Sequence, residues 1–169
     1  MNEFLSGAHP HLLVNHVPIL GAVFALCLLV VSYRYAGDIL RRTAFVVLVA
    51  TALGAAAADY TGDDAKDAVR GLPGVGREQI RAHEDAAERA YVAAGLLGVL
   101  ALGALVRWRA TTVPQGVAFG MLGGAAVVGG LMAYTGLLGG RVRHTELRPG
   151  AVPSDALVIE PPRAPRPAP

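Results

Sequence analysis

The chain has 169 residues, 53% of them hydrophobic and only 17% charged, with a mean hydropathy of +0.45 and a net charge of +2. About a quarter of residues are charged in an ordinary soluble domain, so a soluble globule fits poorly, and so small a net charge gives no reason to expect a nucleic-acid partner. The single cysteine, Cys27, rules out an internal disulfide, and the lack of a Cys-x-x-Cys-His run rules out covalent c-type haem attachment.

A membrane-crossing helix needs about 20 mainly apolar residues, and four such runs follow in chain order. The first covers residues 17–33 and holds no charged side chain. Pro18 suits a first helical turn, or the helix begins near Pro10 and carries Pro18 as a kink. The opening Met-Asn-Glu-Phe-Leu-Ser-Gly has no basic segment, and no small-residue cleavage site follows the run, so it reads as a retained span and not as a removed leader. The second covers residues 43–60 and runs out near Gly62. The third covers residues 90–106, with a helical pattern that continues back to about residue 77 as a wetted extension. The fourth covers residues 113–138 and opens on Thr112-Val113-Pro114-Gln115, where Thr and Gln stand at capping-box spacing. No strand-like alternation is present, and lipid demands internally satisfied backbone, so the expected fold is an all-α, up-down four-helix membrane bundle over residues 1–147. The remaining residues, 148–169, form a Pro-rich tail that cannot build a core.

The short connections between spans one and two and between spans three and four hold five arginines and one acid, Asp38. The positive-inside rule places them in the cytoplasm, which puts both termini on the periplasmic side of a bacterial inner membrane.

The chain also reads as a two-plus-two duplication. Span two ends Ala58-Asp59-Tyr60-Thr61-Gly62, and span four contains Ala133-Tyr134-Thr135-Gly136. From His16 to Tyr60 is 44 residues, and from His83 to Tyr134 is 51. In such a bundle, spans one and three are diagonal neighbours.

All five histidines (His9, His11, His16, His83 and His144) fall on the outer side, with Asp59, Glu84, Glu88 and Glu146. Asp59 ends an apolar helix, where the helix dipole disfavours an acid. Two chemistries compete for this cluster. In the first, a b-type haem is held by two imidazoles on different helices, and the repeat singles out His16 and His83. Gly116, Gly120, Gly123, Gly124, Gly129 and Gly130 of span four and residues 55–58 of span two would give a porphyrin room. Arg81, Arg141 and Arg143 would face its propionates. In the second, His16, His83, His144, Glu84, Asp59 and Glu146 supply ligands to a transition metal. A structural alternative stands beside both: small residues also let membrane helices pack closely without any cofactor, as in a non-catalytic subunit of a larger complex whose tail drapes over a partner. A transporter is a weaker option, because Asp59 alone approaches membrane depth. Neither His-Glu-x-x-His nor a Ser-His-Asp set stands out, so no catalytic residues are assigned.

The run His9-Pro10-His11-Leu12-Leu13-Val14-Asn15-His16-Val17-Pro18-Ile19 resembles the His-Pro…His-x-Pro opening of a group of small bacterial four-span membrane proteins without an assigned function. Tyr60-Thr61-Gly62, Leu72-Pro73-Gly74-Val75, His83-Glu84 and Arg143-His144-Thr145-Glu146 resemble its other marks, and Val17 stands where that group has an aromatic residue. Some of its members are joined to cytochrome c modules. The resemblance therefore implies electron transfer and redox partners in or outside the membrane.

Overall fold

A computed structural model describes residues 7–35 and 37–151. Five α-helices follow in order: α1 (His9–Val14), α2 (His16–Arg34), α3 (Asp38–Val69), α4 (Arg77–Arg107) and α5 (Gln115–Arg143), then a 3-10 turn at Thr145–Leu147. Asn15 keeps right-handed helical angles and its N–H bonds to His11 O at 2.9 Å, so α1 and α2 run on as one rod. Counted that way, four helices are long and apolar enough to cross a membrane: His9–Arg34, Asp38–Val69, Arg77–Arg107 and Gln115–Arg143. The protein is an all-α four-helix membrane bundle. The first helix takes the longer of the two starts left open above, with Pro18 on its buried face. The third helical extension begins at Arg77 as expected, while α3 runs on to Val69, well past its apolar run. The Pro-rich tail beyond Ala151 lies outside the described residues.

The fourth helix starts later than the sequence suggests. Its N-cap is Pro114, with no side-chain cap, so Thr112 and Gln115 do not form the expected capping box. The reason is a competing use of that turn: Val113 is buried, and its N–H donates to Asp38 Oδ1 at 2.7 Å. Around it, Arg41 donates to Val113 O at 2.9 Å, and Arg42 donates to Asp38, Trp108 O and Thr111 O. These bonds clasp the two hairpins together at the arginine-rich end.

Each helix buries one heptad stripe, the spacing of left-handed bundles. The stripes are Pro18, Ala22, Ala25, Leu29 and Ser32 on α2, and Ala44, Leu48, Thr51 and Ala55 on α3. On α4 and α5 they are Ala86, Ala90, Ala94, Leu97, Ala101 and Ala104, and Ala118, Met121, Ala125, Val128 and Met132. Alanine dominates because lipid tails are as apolar as leucine. Close backbone approach and dispersion, more than water exclusion, hold such helices together. At Gly98 the approach to α3 is tight enough that a Cβ would stand 2.5 Å from Ala52 Cβ. Helix α2 packs beside α3 and α5, and α4 packs beside the same two, which leaves α2 and α4 diagonal.

Candidate functional site

Continuing the four stripes toward the end away from the clasp brings polar residues into register. Seven residues before Pro18, the α1–α2 rod carries His11, and one turn inside it Asn15. Three residues before Ala86, α4 carries His83. On α3 the stripe passes Ala58 and reaches Gly62, and on α5 it passes Thr135 and reaches Gly139. Helical periodicity alone therefore aims two imidazoles, from diagonal corners, at one mouth.

They meet there. The ring centroids of His11 and His83 are 6.5 Å apart, with planes crossed at 85°. His11 Nδ1 donates to Ala58 O at 2.9 Å, and the Thr61 hydroxyl lies 3.4 Å from the same nitrogen. His83 Nδ1 donates to Thr135 O at 3.1 Å. A carbonyl only accepts, so in each neutral ring the proton sits on Nδ1 and the lone pair on Nε2. Four residues beyond each carbonyl stands a glycine. A Cβ on Gly62 would come 3.8 Å from the His11 ring, and one on Gly139 would come 3.0 Å from His83 Cε1. The Thr61 and Thr135 hydroxyls both turn back to the carbonyl four residues earlier, each at 2.9 Å. The two cradles differ in register: the glycine behind His11 is Gly62 of Tyr60-Thr61-Gly62, whereas the one behind His83 is Gly139, three residues past Gly136 of Tyr134-Thr135-Gly136.

His16 is not part of this pair. It is exposed, and its Nδ1 bonds to Leu12 O of its own helix at 2.9 Å. Five residues after His11, its side chain is carried around to the outside of the rod. His144 is also exposed and bonds to Glu146 at 2.8 Å. Glu84 pairs with Lys66 at 2.7 Å, and Asp59 is exposed on the outer surface of α3. The six residues considered as metal ligands are therefore not gathered in one place, and among the described residues no three His, Cys, Asp or Glu side chains form a metal-sized group.

The expected arginines also divide. Arg141 Nε donates to Leu147 O at 3.1 Å, holding the 3-10 turn against α5, and Arg143 is exposed. Arg81 lines an open groove of about 350 Å³ with Arg70, Arg77, Ile80 and Glu84. Lys66 stands one turn past Gly62 on α3. Its ammonium donates to Asp63 Oδ1 at 2.8 Å and pairs with Glu84 at 2.7 Å. The span-four glycines expected to make room mostly do something else. Around Gly116, Gly120, Gly123, Gly129 and Gly130 a Cβ would meet nothing within 4 Å, and Gly124 packs on Leu97.

No protein-family model, no curated protein and no solved structure matches this chain.

Proposed function

We propose that this chain is a bacterial inner-membrane electron-transfer protein that holds a b-type haem between His11 and His83 at its periplasmic mouth. The observation that carries this is the geometry of the two rings. Two imidazoles brought close from different helices, each with its Nδ1 engaged by a carbonyl, would hold such a group through their Nε2 atoms. The ring centroids are 6.5 Å apart. Both rings are already locked by Nδ1 donors to carbonyls, the usual support that orients an imidazole and raises its basicity toward a metal.

Haem suits the donor count better than a bare ion. The described residues bring two imidazoles together with no third His, Cys, Asp or Glu beside them, and a haem would need no further side-chain ligand. A bound haem iron would provide a one-electron couple. Everything else falls to the chain: His11 and His83 would fix the iron, Gly62 and Gly139 would leave the rings space, and Lys66 would stand near the mouth as a counter-charge. Electrons would then pass to membrane or periplasmic redox partners. The outward glycines of α5 favour a second role alongside this one, as a packing surface for other subunits.

The test is a visible absorption spectrum with iron analysis on the purified protein. A Soret band with sharpened bands on reduction, at one iron per chain, is expected. A colourless, iron-free sample would overturn the haem. Stoichiometric copper or zinc in its place would assign the imidazole pair to a bare ion.

A further inference from the structure

We propose that the groove between the outer ends of α3 and α4 holds the phosphate of an anionic phospholipid headgroup, gripped by Arg77 and Arg81 of α4 with Arg70 on the α3 side. This site and the imidazole pair stand or fall separately.

The groove has room of about 350 Å³ and is lined by Arg70, Arg77, Ile80, Arg81 and Glu84. Its charges do not balance within the protein. Glu84 is the one acid among them, and it is already paired with Lys66 at 2.7 Å. Arg70 has only a long 3.5 Å contact with the exposed Asp67, a pair worth little in water. Arg77 and Arg81 make no hydrogen bond or ion pair with any described residue. Glu78 and Asp85 stand three residues before and four after Arg81, yet neither pairs with it. Arg77 and Arg81 are four residues apart on one face of α4, where like charges repel. Arg77 also sits in the first turn of that helix, where the dipole disfavours a cation. An anion seated between the two guanidiniums removes both penalties at once.

Depth selects the source of that anion. His11 touches Thr61 and His83 touches Thr135, so the adjoining exposed rings of Tyr60 and Tyr134 mark the level of the imidazole pair. Tyrosines exposed on an apolar bundle belong at the membrane–water boundary. Going outward along α4 from His83, Arg81 and Arg77 lie two and six residues away, about 3 and 9 Å at the helical rise. The headgroup layer on one side of a bilayer is about 5–8 Å deep. The two arginines therefore bracket the depth of a lipid phosphate. A guanidinium fork matches two phosphate oxygens at once. The half-buried Ile80 in the same groove gives the glycerol and upper acyl carbons an apolar wall. A zwitterionic headgroup would bring its own cation to a groove already rich in them, so an anionic one is favoured.

The experiment uses the full chain in detergent, titrated with short-chain phosphatidylglycerol, short-chain phosphatidylcholine or inorganic phosphate, and read by native mass spectrometry and thermal shift. Phosphatidylglycerol is expected to bind at one per chain and raise the unfolding midpoint, and phosphatidylcholine to bind more weakly. Arg77→Gln and Arg81→Gln should each weaken phosphatidylglycerol by about fivefold, and the double variant by about 30-fold. Arg109→Gln, an exposed arginine at the other end of the bundle, should leave its affinity unchanged. Because Arg77 and Arg81 bond to no described residue, the lipid-free midpoint should match the wild type, which separates lost binding from lost folding. Affinity unmoved in the double variant, or equal for the two lipids, would overturn the site. Inorganic phosphate at the same concentrations is expected not to compete, and full displacement by it would overturn the lipid source. None of these readings depends on a bound haem.

Discussion

The imidazoles of His11 and His83 meet with ring centres 6.5 Å apart and planes 85° apart, although they stand on diagonal rods of the bundle. Neither reaches the other by a local turn. Each is the outermost member of a stripe whose deeper members are alanine, leucine and proline packed in the core. The helices that bury those stripes therefore also set the distance between the rings, and the rigidity of the bundle becomes the rigidity of the site.

One consequence concerns the glycines behind the rings. A Cβ at position 139 would stand 3.0 Å from His83 Cε1, tight enough that the ring must shift slightly, whereas one at position 62 would stand at an ordinary 3.8 Å from His11. Gly139→Ala is expected to weaken cofactor retention by roughly tenfold, the usual scale for disturbing a ligand's support. Gly62→Ala is expected to leave it unchanged. Haem content per chain after identical purification measures both.

A second concerns packing without any reference to the site. At Gly98 a Cβ would collide with Ala52 Cβ at 2.5 Å, with Leu48 O at 3.5 Å behind it. Gly98→Ala is expected to cost about 1–3 kcal/mol by overpacking. At Gly123 nothing lies within 4 Å, so Gly123→Ala is expected to be neutral in the isolated chain. Thermal unfolding in one detergent, followed by circular dichroism, distinguishes them.

The clasp at the other end carries a pH dependence. Burial raises the pKa of Asp38, which lies ahead of the apolar run. The Val113 N–H and the Arg42 guanidinium outweigh that and leave the carboxyl below its ordinary value. A depressed carboxylate pKa stabilises the folded state above the unfolded value of about 4, and the contribution is lost as pH falls through the folded pKa. Stability is therefore expected to drop on acidification below about pH 4, and Asp38→Asn should flatten that part of the profile. Asp38→Ala, which also strands the Val113 N–H, is expected to cost about 1–3 kcal/mol at neutral pH. Unfolding midpoints across a pH series check the sign.

Orientation gives a further expectation. Ala110 lies in an arginine-rich connection and Glu78 at the start of α4 on the histidine side, both exposed. In a Cys27→Ala background, Glu78→Cys should react with a membrane-impermeant maleimide in intact spheroplasts. Ala110→Cys should react only after permeabilisation. The reverse pattern would invert the topology.

Much of this was legible in the chain. Four apolar runs predicted four spanning helices, because lipid leaves the backbone few alternatives. Their ends were less legible: α3 continues to Val69 through Asp63, Asp64 and Lys66, where hydropathy falls but i,i+3 pairing and contact with α4 sustain the helix. The structure sets His11, not His16, beside His83. The repeat singles out His16, but the register that buries Pro18 runs back through Asn15 to His11 and leaves His16 outside. Spacing carried the same signal. His11 to Thr61 is 50 residues and His83 to Thr135 is 52, a closer match than the one drawn from His16. The span-four glycines were visible, but which way they face is decided by packing, and most face outward.

The most direct test of the imidazole pair is electron paramagnetic resonance of the oxidised, haem-loaded protein, with His11→Ala, His83→Ala and His16→Ala beside it. Crossed imidazole planes at 85° predict a strongly anisotropic low-spin signal in the wild type. That signal should be unchanged in His16→Ala and lost in each of the other two. A wild-type signal typical of parallel planes, or one abolished by His16→Ala and kept in His11→Ala, would contradict the account.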